Sequence, residues 1–206
     1  MIGRTNCGAG GGGTVGVTIY GGANEVITYS GKASGTFTLG SAGAGTVELK
    51  KGVYTFTAGL SGLSISKACE NGTVVRLRPD HYIYWYGAIN GEITKYDGYG
   101  TLTFQDNTLT FQGGYQDWGA CSSDIDCSQD SKVSAKCTEV VGGSYCDLLY
   151  SSYKNYSGGD AEDLKANATV SLTYTYNSAR KARLAVYGNT NKIVVQEWYL
   201  GNREAG

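Results

Sequence analysis

The first third of the chain alternates hydrophobic residues with polar or small ones. Val15, Val17 and Ile19 occupy every second position, and Tyr54 and Phe56 repeat this spacing further along. Because neighbouring side chains of a strand point to opposite faces, the spacing predicts strands that bury one face. Similar patterns predict strands at 25–29, 35–39, 46–50, 63–67 and 73–77. About seven short strands with turn residues between them are typical of an immunoglobulin-like β-sandwich, which we expect over residues 14–79.

A second set of alternating positions begins with the stretch HYIYWYG at 81–87. As a strand, it places Tyr82, Tyr84 and Tyr86 on one face and Trp85 on the other, and so many rings require at least one face to pack. Alternation returns at 168–176, 182–186 and 193–200. These patterns predict a second, jelly-roll-like β-sandwich over residues 80–206.

Three other stretches complete the predicted layout. The near-repeat TLTFQDNTLTFQ at 101–112 predicts a hairpin with Asp106-Asn107 as its two-residue turn. Residues 113–159 are rich in Cys, Ser, Asp and Tyr and predict a long irregular insert, a kind of loop that is usually functional or cross-linked. The glycine-rich residues 1–13 form either a disordered tail or an arm that docks on a neighbouring molecule.

Composition supports an all-β fold and excludes several functions. The 206 residues include 32 Gly and 17 Tyr, and glycine marks turns whereas Thr and Tyr favour strands. With a net charge of −1 the chain has no basic face for phosphates, so no nucleic-acid partner is expected. No apolar run of about 18 residues predicts a membrane span. The first residues lack the apolar core of a secretory signal, so we expect synthesis in a cytoplasm without export by a cleaved signal.

The cysteines indicate disulfides more than a metal site. Six are present, at 7, 69, 121, 127, 137 and 146. No CxxC pair occurs, which argues against zinc. We expect at least one disulfide among Cys121, Cys127, Cys137 and Cys146 once the protein meets air, with Cys121–Cys127 and Cys137–Cys146 as the first pairs to test. Plain buried thiols are the alternative.

An acidic segment inside the insert is a candidate calcium site. Oxygen-bearing side chains occur at every second residue, as Asp124, Asp126, Ser128 and Asp130. Such spacing wraps Ca²⁺ in the first half of an EF-hand loop, but Gln129 stands where that loop needs glycine, and no bidentate Glu follows. A solvated acidic loop is the alternative, and no other cofactor is expected.

Aromatic residues beside glycines are the candidate ligand-binding residues. Rings stack on the apolar faces of sugars while their polar tips bind hydroxyl groups. Glycines at 91, 98, 100, 113, 114 and 119 leave the local backbone open, so the rings of nearby residues are expected to be partly exposed. The candidates for glycan binding are Tyr96, Tyr99, Tyr115 and Trp118. The alternative is that these rings belong to the core.

No enzyme is expected. His81 is the only histidine and precedes a strand that is predicted to be buried. No nucleophile-elbow motif is present. Asp117 and Glu197 would pair as glycosidase carboxylates only by a coincidence of the fold.

Two sets of short motifs resemble known families. The segment GTVELKKGVYTFTA at 45–58 resembles the hairpin of PEGA-like and carboxypeptidase-regulatory-like immunoglobulin modules. The GRTN sequence at 3–6, the glycines at 10–13 and the YWYG at 84–87 together resemble tail or tail-fibre-like proteins of phages and prophages of gut Firmicutes. The Cys-rich insert at 121–146 departs from that family's pattern.

The second resemblance implies a structural protein of the phage tail or virion surface. It would be made in the bacterial cytoplasm, released by lysis, and assembled with other virion proteins and copies of itself, with host-surface glycan as a further partner. A stand-alone glycan-binding adhesin module and a capsid decoration protein are the alternatives.

Overall fold

The computed structural model describes residues 13–95, 100–114, 119–121, 130–151, 160–173, 181–203 and 206. Its elements are β-strands and a single 3-10 turn, so the predicted all-β fold is confirmed within this part of the chain. None of these elements is a helix with the length and apolar character that crossing a membrane requires.

Strands β1–β7 form the first unit, a two-sheet sandwich. They are β1 (Thr14–Tyr20), β2 (Val26–Gly31), β3 (Gly35–Thr38), β4 (Ala44–Lys50), β5 (Gly52–Ala58), β6 (Ser64–Cys69) and β7 (Thr73–Arg76). One sheet has the order β4-β1-β7, with β1 antiparallel to β4 and parallel to β7. The other has the order β3-β2-β5-β6.

The alternating residues of the first unit fill its core as expected. Val17 and Ile19 of one sheet pack with Ile27, Tyr54 and Phe56 of the other, and all five are fully buried. The alternation rule applies here because each sheet has one face on the core and the other in solvent. The predicted seven-stranded sandwich is therefore confirmed.

Strands β8–β19 form the second unit. They are β8 (Tyr82–Trp85), β9 (Ala88–Ile89), β10 (Ile93–Lys95), β11 (Thr101–Gln105), β12 (Thr108–Gln112), β13 (Gly119–Cys121), β14 (Lys132–Val141), β15 (Cys146–Ser151), β16 (Asp160–Asp163), β17 (Ala168–Thr173), β18 (Lys181–Val186) and β19 (Lys192–Leu200). A 3-10 turn, η1 (Gly143–Tyr145), joins β14 to β15.

Two sheets of the second unit enclose its core, which confirms a second β-sandwich. One sheet has the order β10-β13-β18-β15-β16, and the other has β11-β12-β19-β14-β17 with β8 also paired to β19. Their buried residues, Leu148 and Leu184 from the first sheet and Leu109, Val133 and Trp198 from the second, form one cluster.

The prediction of an irregular insert over residues 113–159 is wrong for residues 132–151. This stretch contains β14, a ten-residue strand between β17 and β19, and β15, which lies between β16 and β18. The three consecutive residues Val133, Ser134 and Ala135 of β14 are all buried. The alternating buried positions are Val133, Ala135 and Cys137, and the small Ala and Cys side chains among Ser, Lys and Thr give only a weak hydrophobic signal.

The YWYG motif forms a tight hairpin where the two units meet. Trp85 pairs with Ala88 across the turn, and Tyr86 and Gly87 both have positive φ, at 42° and 85°. This backbone matches the type I′ turn of two-residue hairpins. The Tyr86 carbonyl accepts a hydrogen bond of 2.9 Å from the Ala23 backbone N–H in the first unit. The hairpin therefore connects the units through main-chain contact.

Side chains of both units pack around this hairpin. A separate buried cluster contains Ala23, Tyr82, Trp85, Tyr86, Ala88 and Tyr199, with Leu63 against it. Both faces of strand β8 are buried, which confirms the prediction that at least one face of this aromatic stretch packs. The division of the chain at residue 79 stays a prediction, although strands β1–β7 and β8–β19 form separate sheets.

Candidate functional site

Most of the predicted site residues lie outside the described part of the chain. These are Tyr96, Tyr99, Tyr115, Trp118, Asp124, Asp126, Ser128 and Cys127. Asp117, the other half of the carboxylate pair, lies outside it as well. The structure does describe the residues that flank the four aromatic candidates.

The flanking residues meet at one end of the second unit. Lys95, which precedes Tyr96, is the strand partner of Gly119, which follows Trp118. The Lys95 ammonium also donates a 2.6 Å hydrogen bond to the carbonyl of Gly100. Both aromatic segments therefore join the sheet at neighbouring positions, at the end where β10 finishes and β13 begins.

An exposed pair of stacked tyrosines occupies the same end. The rings of Tyr145 and Tyr187 lie 6.0 Å apart between centroids with 28° between their planes. Tyr145 is 55% exposed, whereas Tyr187 is partly buried. The Tyr187 backbone N–H donates a 2.9 Å hydrogen bond to the Tyr145 carbonyl, which fixes the two residues to each other. The partly buried Tyr187 ring therefore supports the Tyr145 ring, which faces solvent.

Amide groups lie beside the two loops that carry this pair, since the Asn191 side chain lies next to Gly142 and Gly188. Gln112 Nε2 donates to the carbonyls of Asn189 and Asn191, at 3.2 and 3.0 Å. The Gly113 backbone N–H donates to the Asn191 carbonyl at 2.9 Å. We call the end formed by 112–114, 142–145 and 187–191, together with Lys95, Gly100 and Gly119, the aromatic end.

The chemistry of the aromatic end suits a polyhydroxylated ligand. A fixed, exposed phenol ring offers an apolar face and a polar tip, and the Asn and Gln amides nearby both donate and accept hydrogen bonds. Sequence reasoning missed Tyr145 and Tyr187, although Gly142, Gly143 and Gly188 flank them as glycines flank the four predicted aromatics. The same criterion, applied to the whole chain, would have found both.

Asp130 is the one predicted calcium ligand that is described, and its carboxylate already has a partner. Its oxygens lie 3.0 and 3.3 Å from Nδ1 of His81, and the Asp130 side chain is only 9% exposed. Among the residues whose side chains are described, no three His, Cys, Asp or Glu residues lie close enough to hold a metal ion. Calcium binding by the whole set stays a prediction.

Two of the four candidate disulfide cysteines are buried thiols. Cys137 and Cys146 are free and fully buried in the core of the second unit. Burial raises the pKa of Cys137 to about 12 and that of Cys146 to about 11. Since the thiolate is the reactive form, burial and the raised pKa both disfavour reaction of these thiols in the folded state. The side chain of Cys121 is not described, so disulfide formation stays a prediction.

Glu197, a candidate glycosidase carboxylate, belongs to the junction instead. It is fully buried and its Oε1 accepts hydrogen bonds from the Tyr86 hydroxyl at 3.0 Å and from Arg203 Nη2 at 3.1 Å. The Arg203 guanidinium also lies over the Trp85 ring, 5.3 Å from its centroid. Burial and the nearby Glu197 carboxylate raise the pKa of Tyr86, so its hydroxyl stays protonated and keeps donating.

Comparison with known proteins leaves the function open. No protein-family profile matches the chain, and no curated protein matches it. A DUF3823 family protein from Parabacteroides merdae shares 10% identity over 92% of this chain and 99% of its own, with a TM-score of 0.29. A DUF3823 family protein from Bacteroides ovatus shares 10% identity over 93% and 97%, with a TM-score of 0.28. Neither likeness shows a family or a function for this chain.

Proposed function

We propose that this protein is a structural component of a phage tail or virion surface that contacts host-surface glycan through the aromatic end. The exposed, stacked pair of Tyr145 and Tyr187 is the observation that carries the glycan contact. The virion role is supported by the resemblance of the GRTN, glycine-rich and YWYG motifs to tail proteins. No enzymatic activity is part of the proposal.

The arrangement of the units suits a protein that displays a binding end. Strand β12 begins beside the junction at Thr108 and ends at Gln112 in the aromatic end. The junction itself is closed by the main-chain hydrogen bond between Ala23 and Tyr86 and by the packing of Trp85 and Tyr86 with Ala23 and Leu63. A fixed junction keeps the aromatic end in a constant orientation relative to the first unit.

A single aromatic end would bind weakly. A ring contact contributes about 1 kcal/mol, so the interaction of one copy with a sugar would be readily reversed. Many copies on one particle raise the overall affinity by factors of about 100 to 10,000 without any new contact. Copies of the chain on the virion are therefore part of the proposed mechanism.

The test is a glycan array probed with a multimerised form of the full chain. Wild type is expected to bind a subset of glycans, and Tyr145→Ala is expected to lose most of that signal while its melting temperature stays unchanged. Phe104→Ala is the matched control, because Phe104 is also an exposed ring, at 43%, but lies away from the aromatic end. Wild-type protein that binds no glycan, or equal losses in both variants, would refute the glycan contact.

The virion role needs a separate test. Genes for a tail tape measure or a major capsid protein beside this gene would support it, and immunogold labelling of purified particles would then place the protein on them. Glycan binding by a protein absent from particles would favour the stand-alone adhesin. Labelling of capsids rather than tails would favour the decoration protein.

A further inference from the structure

A small charged cleft lies between the two units, apart from the aromatic end. Its volume is about 200 Å³, and it is lined by Tyr20, Arg76, Arg78, Pro79, Asp80 and Tyr82. Tyr20 and Arg76 end the strands β1 and β7, which are parallel neighbours, and Tyr82 begins β8. The cleft thus exists only when both units are in place.

One wall of the cleft is a fixed cation. The Arg78 guanidinium lies over the ring of Tyr82, 4.3 Å from its centroid, and 5.3 Å from that of Tyr20. Its Nη1 donates to the carbonyls of Gly21 and Ala42, at 3.1 and 3.0 Å. These contacts hold the group in one position, and burial lowers the pKa of Arg78 without removing its charge at neutral pH.

The other charged side chains of the cleft, Arg76 and Asp80, are more open to solvent. Arg76 Nε lies 2.5 Å from Asp80 Oδ1, and both side chains are about half exposed, at 46% and 61%. The Arg76 backbone is fixed by paired hydrogen bonds with Gly206, of 2.7 and 3.1 Å. Two guanidinium groups and one carboxylate leave the cleft with an excess of one positive charge.

We propose that this cleft binds a small oxyanion, the carboxylate or phosphate group of a ligand. Guanidinium groups present planar, forked donors that match such groups and bind them in pairs of hydrogen bonds. Asp80 occupies part of the Arg76 fork in the structure, so an incoming anion competes with the Asp80 carboxylate for Arg76. The proposal is independent of glycan binding at the aromatic end.

The ligand class is tested by NMR titration of the isotope-labelled full chain. Inorganic phosphate and glucuronate are the two anionic probes, and glucose is the uncharged counterpart of glucuronate. Saturable shifts of the Arg76 and Asp80 amide signals with either anion, but not with glucose, support the cleft, and the stronger probe identifies phosphate or carboxylate as the preferred group. Absence of saturable shifts with both anions would overturn the proposal.

Two variants with opposite expected effects make the test specific. Asp80→Asn removes the competing carboxylate and should tighten anion binding about fivefold, the factor that corresponds to two unit charges about 4 Å apart in water. Arg76→Gln should weaken binding by a similar factor. Both side chains are exposed, so the melting temperature should change little, and melts of each variant check this.

An exposed ion pair elsewhere on the first unit supplies the matched controls. Lys51 and Glu70 form a 3.2 Å pair with both side chains about two-thirds exposed. Glu70→Gln and Lys51→Gln change the net charge as Asp80→Asn and Arg76→Gln do, but they should leave anion binding unchanged. Equal effects of the two pairs of variants would show general charge attraction and would overturn the assigned site.

Discussion

At the residue scale, the Glu197 carboxylate shows how the chain tolerates a charge in its interior. Its Oε1 is reached by the Tyr86 hydroxyl and by Arg203, and the side chain has no exposure to solvent. A buried charge is costly unless it is paired and hydrogen-bonded, so the partners of Glu197 are expected to matter more than those of any surface carboxylate.

Replacing Arg203 tests this expectation. Arg203→Gln should lower the free energy of unfolding by about 3 kcal/mol, because it leaves the buried Glu197 charge without its cation. Lys192→Gln is the control, since Lys192 pairs with Glu139 at the surface and such pairs contribute about 0–1 kcal/mol. Urea unfolding measures both variants. Similar losses in the two would contradict the role of the Glu197–Arg203 pair.

Asp147 carries a second prediction at this scale. Burial, together with the charge and hydrogen bond of Asp163 on the neighbouring strand, raises its pKa from 3.8 to about 6. The folded state therefore holds a proton that the unfolded state has already lost at pH 5. This contribution to stability is fully present below about pH 4 and is lost as the pH rises through about 6.

Asp147→Asn should remove that dependence. The difference in unfolding free energy between wild type and variant is expected to fall by about 1 kcal/mol from pH 4 to pH 7, after allowance for solvent screening of a partly exposed group. Urea unfolding at several pH values gives this difference. Glu162→Gln, on the same strand as Asp163, is the control, and its difference from wild type in unfolding free energy should not change with pH. If the unfolding free energies of wild type and Asp147→Asn change with pH in the same way, the assignment to Asp147 is refuted.

At the element scale, the YWYG hairpin depends on the absence of a side chain at Gly87. A Cβ there would lie 2.7 Å from Asn107 Oδ1 and 3.1 Å from the Ala23 Cβ, with φ at 85°. Asp106-Asn107 is the turn of the β11–β12 hairpin, and its positive φ values of 50° and 58° confirm the predicted two-residue turn. Gly87 is therefore the point at which two hairpins and the first unit come together.

Gly87→Ala compared with Gly72→Ala separates crowding from backbone strain. Gly72 has a similar φ of 79°, but a Cβ there would have nothing within 4 Å. Gly72→Ala should lower the free energy of unfolding by about 1 kcal/mol, because alanine is strained at a positive φ. Gly87→Ala should lower it by about 3 kcal/mol, because the added Cβ is also crowded by its neighbours. Thermal melts of the two variants measure the difference. Equal costs would mean that the packing at Gly87 is unimportant.

The elements also show what sequence patterns detect. Alternation predicts the strands that have one face in solvent, such as β1 and β5, and turn chemistry predicts the turn at Asp106-Asn107. Strand β14 escapes detection because its alternating positions are Val133 and the small residues Ala135 and Cys137, which give a weak hydrophobic signal in a stretch rich in Ser, Lys and Thr. Sequence patterns indicate only part of the aromatic end. Strand register brings 142–145 and 187–191 to the same end of the sheet as Lys95 and Gly119, and no local pattern encodes register.

At the scale of the whole molecule, the contacts across the junction should make the two units unfold together. Tyr86, Trp85 and Tyr199 are buried between the units, and Arg76 is paired with Gly206 from the end of the described chain. All three tryptophans, at 85, 118 and 198, belong to the second unit, so tryptophan fluorescence reports on that unit and, through Trp85, on the junction. Circular dichroism reports on the strands of both.

We expect the two signals of the intact chain to change at one temperature. A fragment of residues 14–79 should still melt cooperatively, because its core residues Val17, Ile27 and Phe56 are covered by its own two sheets. The fragment lacks the contacts with Tyr86, Tyr82 and Gly206, so its melting temperature should be at least about 5 °C lower than that of the intact chain. For a domain of this size, a loss of about 1 kcal/mol in unfolding free energy lowers the melting temperature by about 4–8 °C. Separate transitions in the intact chain would show that the junction does not couple the units. A non-cooperative melt of the fragment would show that the first sandwich depends on the second to fold, and residue 79 would then not be a domain boundary.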